Sequence, residues 1–401
     1  MQPFQHSEPN EPFMEQFAPS AGANMPRLHS RRDFLATFVA GLAATSVIER
    51  AFTRAAVARA QSAGAATNLF DLEKVADGVY AALARPAALI NSNAVIFVNE
   101  RDVVVMDTHS KPSAAASLIA QIAKELTPKP VKYAVNSHFH WDHMQGNSAY
   151  RHAHPKVEFV ATEATRRLMA QETESRLKKS LEQLRATIEQ TRKNLSGAKT
   201  PREKEFYQKM LAEQEAYGKE MAKFTLELPT VTCEKSMVLH DKAHSLHFGF
   251  YGRGHTAGDL VIFCPEKKVI ATGDLVHGFF PYMADGFPRE WPKTLDAVGQ
   301  LSFDRVIGGH GSVQQNRVRF NHFRDYVDEL TGKVAEGKKS GKPAAELQKT
   351  ITPASLRSLQ TDNYLSMIEQ DLTKSTPLLD KPPTEETVKT NIQDVFTRID
   401  D

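Results

Sequence analysis

The chain has 401 residues, 41% hydrophobic and 24% charged, an ordinary globular mix. With 50 Lys and Arg against 48 Asp and Glu, the net charge of +2 points neither to nucleic acid nor to an anionic membrane surface. Two cysteines, Cys233 and Cys264, cannot build a disulfide framework, and whether they pair with each other is not legible.

Residues 1–29 are polar and Pro-rich, and Ser30-Arg31-Arg32-Asp33-Phe34-Leu35 then leads into an apolar run from Leu35 to Val47. The paired arginines followed by Phe-Leu resemble a twin-arginine export signal. The run is shorter than the ~20 residues a membrane span needs, and Ala58-Arg59-Ala60 fits a small-x-small cleavage site. The expectation is a leader over 1–60, delivery by the twin-arginine export machinery to the bacterial periplasm or beyond, and no stable membrane span after processing.

From residue 70 short strands alternate with helices. Gly78–Leu83, Asn93–Val98 and Val103–Met106 have strand character, the last ending at Asp107-Thr108. Asp107, at a strand end, either orients metal-bound histidines or caps the segment that follows. Ser113 to Leu126 spaces its Ala, Leu and Ile residues as a helix does. Val131–Asn136 is again a strand. It runs into Ser137-His138-Phe139-His140-Trp141-Asp142-His143-Met144-Gln145-Gly146-Asn147, where three histidines and an aspartate fall within six positions. A tight turn after a strand lets His138 and His140 converge on one metal ion, while Asp142 and His143 point to a second position close by. Imidazole and carboxylate without thiolate suit zinc, and also iron or manganese. Val157–Val160 forms a further strand.

Residues 162–224 differ in kind. Leu177, Leu181, Leu184, Ile188 and Leu195 make a heptad-like seam among charged residues. Ser196–Lys199 breaks it, and Thr200-Pro201-Arg202-Glu203 has the form of a helix start. Phe206, Met210, Tyr217, Met221 and Phe224 continue a second stripe. The reading is an antiparallel helical hairpin inserted into the catalytic domain: a homodimerisation arm, a lid, or a passive surface insertion.

Strands return at Ser236–Leu239 and Leu246–Phe250, and three further signals follow, each at a strand edge. His255 lies in the turn Gly252-Arg253-Gly254-His255-Thr256-Ala257-Gly258-Asp259, before the strand Leu260–Phe263. Asp274 closes the strand Val269–Gly273. His310 closes Asp304–Gly309. With the 138–143 run these residues complete a ligand set. His240, His244, His247, His152 and His154 read as packing or surface residues. Beyond 312 the chain is helical, with apolar stripes over Phe320–Val334 and Leu356–Leu372 and a Gly/Lys-rich linker at Lys338–Lys342.

These motifs, Asp107, His-x-His-x-Asp-His, His255, Asp274 and His310, resemble the metallo-β-lactamase superfamily over roughly Leu72 to Gly311. The resemblance implies an α+β fold, a four-layered αβ/βα sandwich, here with the inserted helical hairpin and a helical C-terminal extension. The implied boundaries are a catalytic domain over 61–311 and an extension over 312–401. A binuclear site is implied as well. One divalent metal, most readily Zn2+ with Fe or Mn as alternatives, takes His138, His140 and His255; the other takes Asp142, His143 and His310; Asp274 bridges them. A metal-bound hydroxide then attacks a small-molecule carbonyl, an ester, lactone, thioester or β-lactam-type amide, with Asp142 orienting the nucleophile.

Two departures argue against a dedicated class B β-lactamase. Asp274 stands where that group usually has cysteine, and His277, three residues on, stands where a common subgroup has lysine. A bridging aspartate is instead the pattern of glyoxalase II-like thioesterases, lactonases and general hydrolases. Phe279, Phe280, Tyr282, Phe287 and Trp291 either wall an apolar pocket or pack. The competing classes are an iron-dependent oxidoreductase of the sulfur dioxygenase kind and a non-catalytic metal-dependent binding protein.

Overall fold

The computed structural model describes residues 69–85, 92–375 and 382–400, so the expected leader lies outside the described residues. Two sheets face each other. The first has seven strands in chain order: β1 (Phe70–Ala76), β2 (Val79–Ala84), β3 (Ala94–Val98), β4 (Val103–Met106), β5 (Val131–Val135), β6 (Glu158–Thr162) and β7 (Val231–Cys233). Strands β1 to β4 pair antiparallel, and β4 to β7 pair parallel. The second sheet contains β8 (Ser236–His240), β9 (Ser245–Phe250), β10 (Leu260–Cys264), β11 (Val269–Gly273) and β12 (Arg305–Gly308), ordered β12-β11-β10-β9-β8. Only β11 and β12 run parallel in it.

Strand sequence follows depth. Val103-Val104-Val105-Met106 of β4 is buried throughout, as is β10, because both faces of these strands are covered. β8 lies at the edge and alternates exposed with half-buried positions. Between the sheets, Val95, Phe97, Val104, Met106 and Val135 meet Phe248, Leu260, Ile262, Val269 and Ile307. Cys233 and Cys264 both belong to this core as free thiols.

Each outer face is covered by helices. Helix α1 (Pro112–Gln121), which continues into a wide π turn over Ile122–Leu126, places Ala114, Ala115 and Leu118 on the first sheet. Tyr150 of α3 (Asn147–Ala153) joins them, after the single turn α2 (Trp141–Met144). On the second sheet, Val261, Ile270 and Val306 pack against α6 (Trp291–Gly299) and α7 (Val318–Lys339). The same core takes in α8 (Ala344–Thr350), α9 (Arg357–Gln360), α10 (Tyr364–Ser375) and α11 (Thr384–Arg398). This is the four-layered αβ/βα sandwich, and the C-terminal helices are part of its outer layer.

The hairpin comprises α4 (Glu163–Ser196) and α5 (Pro201–Met221), inserted between β6 and β7. Thr191 lies 3.5 Å from Met210, Arg192 pairs with Glu215, and Leu184 sits beside Gly218, so the helices run antiparallel. Two details differ from expectation. Helix α7 runs through Lys338 and Lys339, shortening the linker: Lys338 donates to the Phe396 carbonyl and lies over its ring, which holds the last turn. The Leu356–Leu372 stripe is two helices, because Asp362 and Asn363 adopt positive φ and break it. No helix among the described residues is long and apolar enough to cross a membrane.

Candidate metal centre

Parallel pairing brings the carboxyl ends of β4 and β5, and of β11 and β12, to one rim, where side chains from several segments can meet. Asp107 follows β4, residues 137–143 follow β5, Asp274 follows β11 and His310 follows β12. Backbone bonds lock the two sheets together there, Leu260 N–H donating to Ser137 O at 2.8 Å and Asn93 N–H to Gly309 O at 2.6 Å, while Gly309 N–H donates to Gly273 O at 2.8 Å within the second sheet. Gly309 has to be glycine, since a Cβ would stand 2.0 Å from Asp274 Oδ1.

Four histidines have one ring nitrogen committed to an oxygen and the other turned inward. His143 Nδ1 donates to Asp107 Oδ2 at 2.8 Å. His140 Nε2 donates to Asp285 Oδ2 at 2.9 Å. His255 Nδ1 donates to the Tyr282 carbonyl at 3.0 Å. His138 Nδ1 lies 2.9 Å from Ser137 Oγ, which itself donates to Asp107 at 2.9 Å. A carboxylate or carbonyl, or a hydroxyl whose proton is already given to Asp107, accepts from the ring and fixes the tautomer, so in the neutral ring the inward nitrogen carries the lone pair.

Those inward atoms form two groups, and Asp274, His277 and His310 make a third that overlaps both. In the first, His138, His140, His255 and Asp274 present ligand atoms within 4.8 Å of one another. In the second, Asp142, His143 and His310 do the same, with His310 Nε2 3.3 Å and His143 Nε2 3.4 Å from Asp142 Oδ2. Asp274 stands between them. Its Oδ1 is 3.3 Å from His143 Nε2 and 3.4 Å from His310 Nε2, while its Oδ2 is 3.5 Å from His255 Nε2 and 4.0 Å from His138 Nε2. A tetrahedral ion with ligands at ~2.0–2.1 Å has edges of roughly 3.4 Å, so these spacings fit a cation in each group.

The unmet polar atoms point the same way. His138 Nε2, His143 Nε2 and Asp274 Oδ1 are buried without a hydrogen-bond partner. His140 Nδ1 and His255 Nε2 face each other at 2.9 Å, each with its other nitrogen already donating. Two lone pairs at that distance repel unless a proton or a cation lies between them. The residues present therefore fit divalent cations.

Electrostatics divides the site. Burial opposes ionising Asp274, yet His277, His310 and His143 outweigh it and hold the carboxyl well below its ordinary range. Asp142 is held down in the same way, by His143 and His310. Burial alone would depress His143, but Asp274, Asp142 and Asp107 raise it well above the ordinary imidazole value. Burial likewise opposes protonating His310, and Asp274 and Asp142 raise it to about 9. His138 and His255 go the other way: burial keeps them neutral, and neighbouring histidines add to it. At the second group a cation would compete with protons for the same nitrogens.

All seven residues singled out from the sequence, His138, His140, Asp142, His143, His255, Asp274 and His310, meet here. Asp107 accepts from Ser137 N–H, Ser137 Oγ and His143 Nδ1, so it orients the site rather than capping a helix. His277 Nε2 lies 3.0 Å from Asp274 Oδ2, and its ring stacks on His310. The aromatic residues divide. Phe279 lies against His277 and His310, and Tyr282, 47% exposed, lies against His140 and His255. Phe280 and Trp291 are core, Trp291 donating to Leu275 O, and Phe287 is stacked between Arg253 and Arg398. Asp285 has no sequence signal at all: it lies 145 positions from His140, in a loop without periodicity. Ser92, whose hydroxyl donates to Asp142 O, is equally silent.

Fold and site together describe an αβ/βα sandwich with a His/Asp cluster able to hold divalent cations at its rim. A family model described as the metallo-beta-lactamase superfamily matches residues 88–310, more than half of the sequence. The chain belongs to that superfamily. Among similar solved structures are a metallo-beta-lactamase from Pontibacter korlensis and the metallo-beta-lactamase FIM-1 from Pseudomonas aeruginosa in its mono-zinc form. The first is 18% identical, covering 64% of this chain and 98% of its own, with a TM-score of 0.47. The second is 18% identical, covering 65% and 95%, with a TM-score of 0.44. At such values neither bears on substrate or metal number.

Proposed function

We propose that the chain is a hydrolase that takes two divalent cations, zinc by preference, and cleaves a carbonyl compound: an ester, lactone, thioester or β-lactam-type amide. The observation that carries this reading is Asp274, with one carboxylate oxygen turned to each group of donors. When bound, the cations supply a water acidic enough to deprotonate near neutral pH and Lewis-acid polarisation of the carbonyl.

The chain's own residues do the rest. Asp107, Ser137, Asp285 and the Tyr282 carbonyl hold four histidines in the tautomer that faces inward. Asp142, beside His143 and His310, would orient the attacking water. Phe279 and Tyr282 offer ring surface to the substrate beside the reacting bond. Neither serine nor cysteine is required as nucleophile.

The test is a panel of β-lactam, lactone, thioester and aryl ester substrates on metal-quantified protein, with His140→Ala and Asp142→Asn beside it. Turnover in wild type, lost in both variants, is expected. Mononuclear iron with oxygen consumption would overturn the hydrolase in favour of a redox enzyme, and absence of turnover by zinc-replete protein would favour a binding protein. Export through the twin-arginine pathway is proposed from the sequence alone. Cell fractionation of Arg31→Lys/Arg32→Lys tests it, with cytoplasmic retention expected and unchanged export against it.

A further inference from the structure

We propose that the helical insertion is a working part of the first cation group: Arg176 on α4 acts through Asp285 as a positioning residue for His140, so that docking of α4 and cation occupancy are coupled. This rests on the reading that the cluster holds a cation.

The contact is built from several groups. Asp285 Oδ2 accepts from His140 Nε2 at 2.9 Å and from one Arg176 nitrogen at 2.9 Å, and Asp285 Oδ1 accepts from the other at 2.8 Å. A forked guanidinium–carboxylate pair fixes direction as well as distance. Arg176 is itself held, its guanidinium 4.8 Å from the centre of the Phe139 ring and 3.6 Å from Glu172. Burial works against the charge on Asp285, but His140 and Arg176 outweigh it and keep the carboxyl far below its usual range. His140 therefore faces a fixed anion that accepts at Nε2 and leaves Nδ1 bare toward His255.

A second tie is independent of the first. At the start of α4, Thr162 Oγ1 accepts from Thr165 N–H, and both threonine hydroxyls donate to Gly258 O at 2.8 Å. Gly258 closes the turn that carries His255, so one helix braces the supports of both facing histidines. Helix α5 adds to this from the other side: Tyr217 donates to Gln145, and Glu220 accepts from Ser113 Oγ at 2.8 Å. An insertion that merely decorated the surface would have no reason to send a 45%-exposed arginine onto the carboxylate behind a buried histidine.

If a cation draws on His140 Nδ1, it strengthens the donor at Nε2 and with it the Asp285–Arg176 bridge. By linkage, the bridge strengthens the cation by the same factor. The test titrates zinc against a chromophoric chelator in wild type, Asp285→Asn, Arg176→Gln and Arg176→Lys, and follows hydrogen exchange of α4 amides with and without zinc. Asp285→Asn is expected to weaken one zinc site by ~10–100-fold and leave the other within a few-fold. Arg176→Gln is expected to weaken the same site less, with Arg176→Lys between it and wild type. Zinc is expected to slow exchange over residues 166–180 in wild type and much less in Arg176→Gln. Equal affinities in wild type and both neutral variants, or α4 exchange indifferent to zinc, would overturn the proposal. Wild type that binds no zinc would instead overturn the metal reading beneath it, so the two failures are distinguishable.

Discussion

Asp107→Asn probes the centre most sharply, because the substitution changes almost nothing but charge and donor direction. Asp107 is 2% exposed and accepts three hydrogen bonds: from Ser137 N–H at 2.8 Å on Oδ1, and from Ser137 Oγ at 2.9 Å and His143 Nδ1 at 2.8 Å on Oδ2. An amide has one acceptor oxygen. If its nitrogen faces His143, the imidazole must give up the Nδ1 proton, and the tautomer left places hydrogen on Nε2, the atom aimed at the second donor group. If its nitrogen faces Ser137, two N–H groups confront each other in a buried site. Either orientation costs about 1–3 kcal/mol. Loss of an orienting partner typically weakens a metal site ~10–100-fold, or about 1.4–2.7 kcal/mol. Competitive zinc titration at pH 7.5, with thermal unfolding of metal-free protein alongside, measures both. Zinc affinity unchanged at both sites would refute the orienting role, whatever happened to the melting temperature.

Three further outcomes follow from other parts of the molecule. Asp394 on α11 has one buried oxygen without a partner, and burial raises its pKa to about 7, only partly countered by the Met283 N–H. A raised carboxyl favours the folded state below the unfolded pKa near 4, and that advantage is lost as pH climbs to about 7. Asp394→Asn should therefore stabilise the chain by about 1–3 kcal/mol at pH 8, less than the full shift implies because the residue is only half-buried, and by nothing at pH 4. A gain of equal size at both pH values would refute this. Gly309→Ala should fold but lose the second ion, because the new methyl collides with Asp274 Oδ1; retention of two ions would contradict that contact. If the hairpin is a dimerisation arm, one of the three roles open to it, light scattering gives the mass of two chains, and the mass of one chain would remove that role.

Legibility in the sequence tracked how local the physics was. His138, His140, Asp142 and His143 announce themselves because one turn after one strand brings them together, so spacing alone carries the information. His255, Asp274 and His310 were legible as strand-edge residues, since β11 and β12 run parallel and end at the rim where β10, antiparallel to β11, begins. Asp107 remained ambiguous until Ser137 and His143 were seen to donate to it. Asp285 and Arg176 could not be found, because neither side chain is unusual where it stands and their meeting depends on how two long excursions fold back. The aromatic cluster after Asp274 defied a single reading for the same reason: alternate members turn to the site and to the core. Strand β1 was hidden by Asp71, Glu73 and Lys74, which an edge strand tolerates on its solvent side. At Leu356–Leu372 the apolar stripe was sound but the continuity was not, since Asp362 and Asn363 adopt the left-handed conformation such residues permit.

The most direct measurement is the number of zinc ions per chain, by elemental analysis together with native mass spectrometry, for wild type and Asp274→Ala. Two ions in wild type and no more than one in the variant are expected, because Asp274 turns one carboxylate oxygen towards each group of donors. A single ion in zinc-saturated wild type, unaffected by removal of that carboxylate, would contradict the binuclear centre.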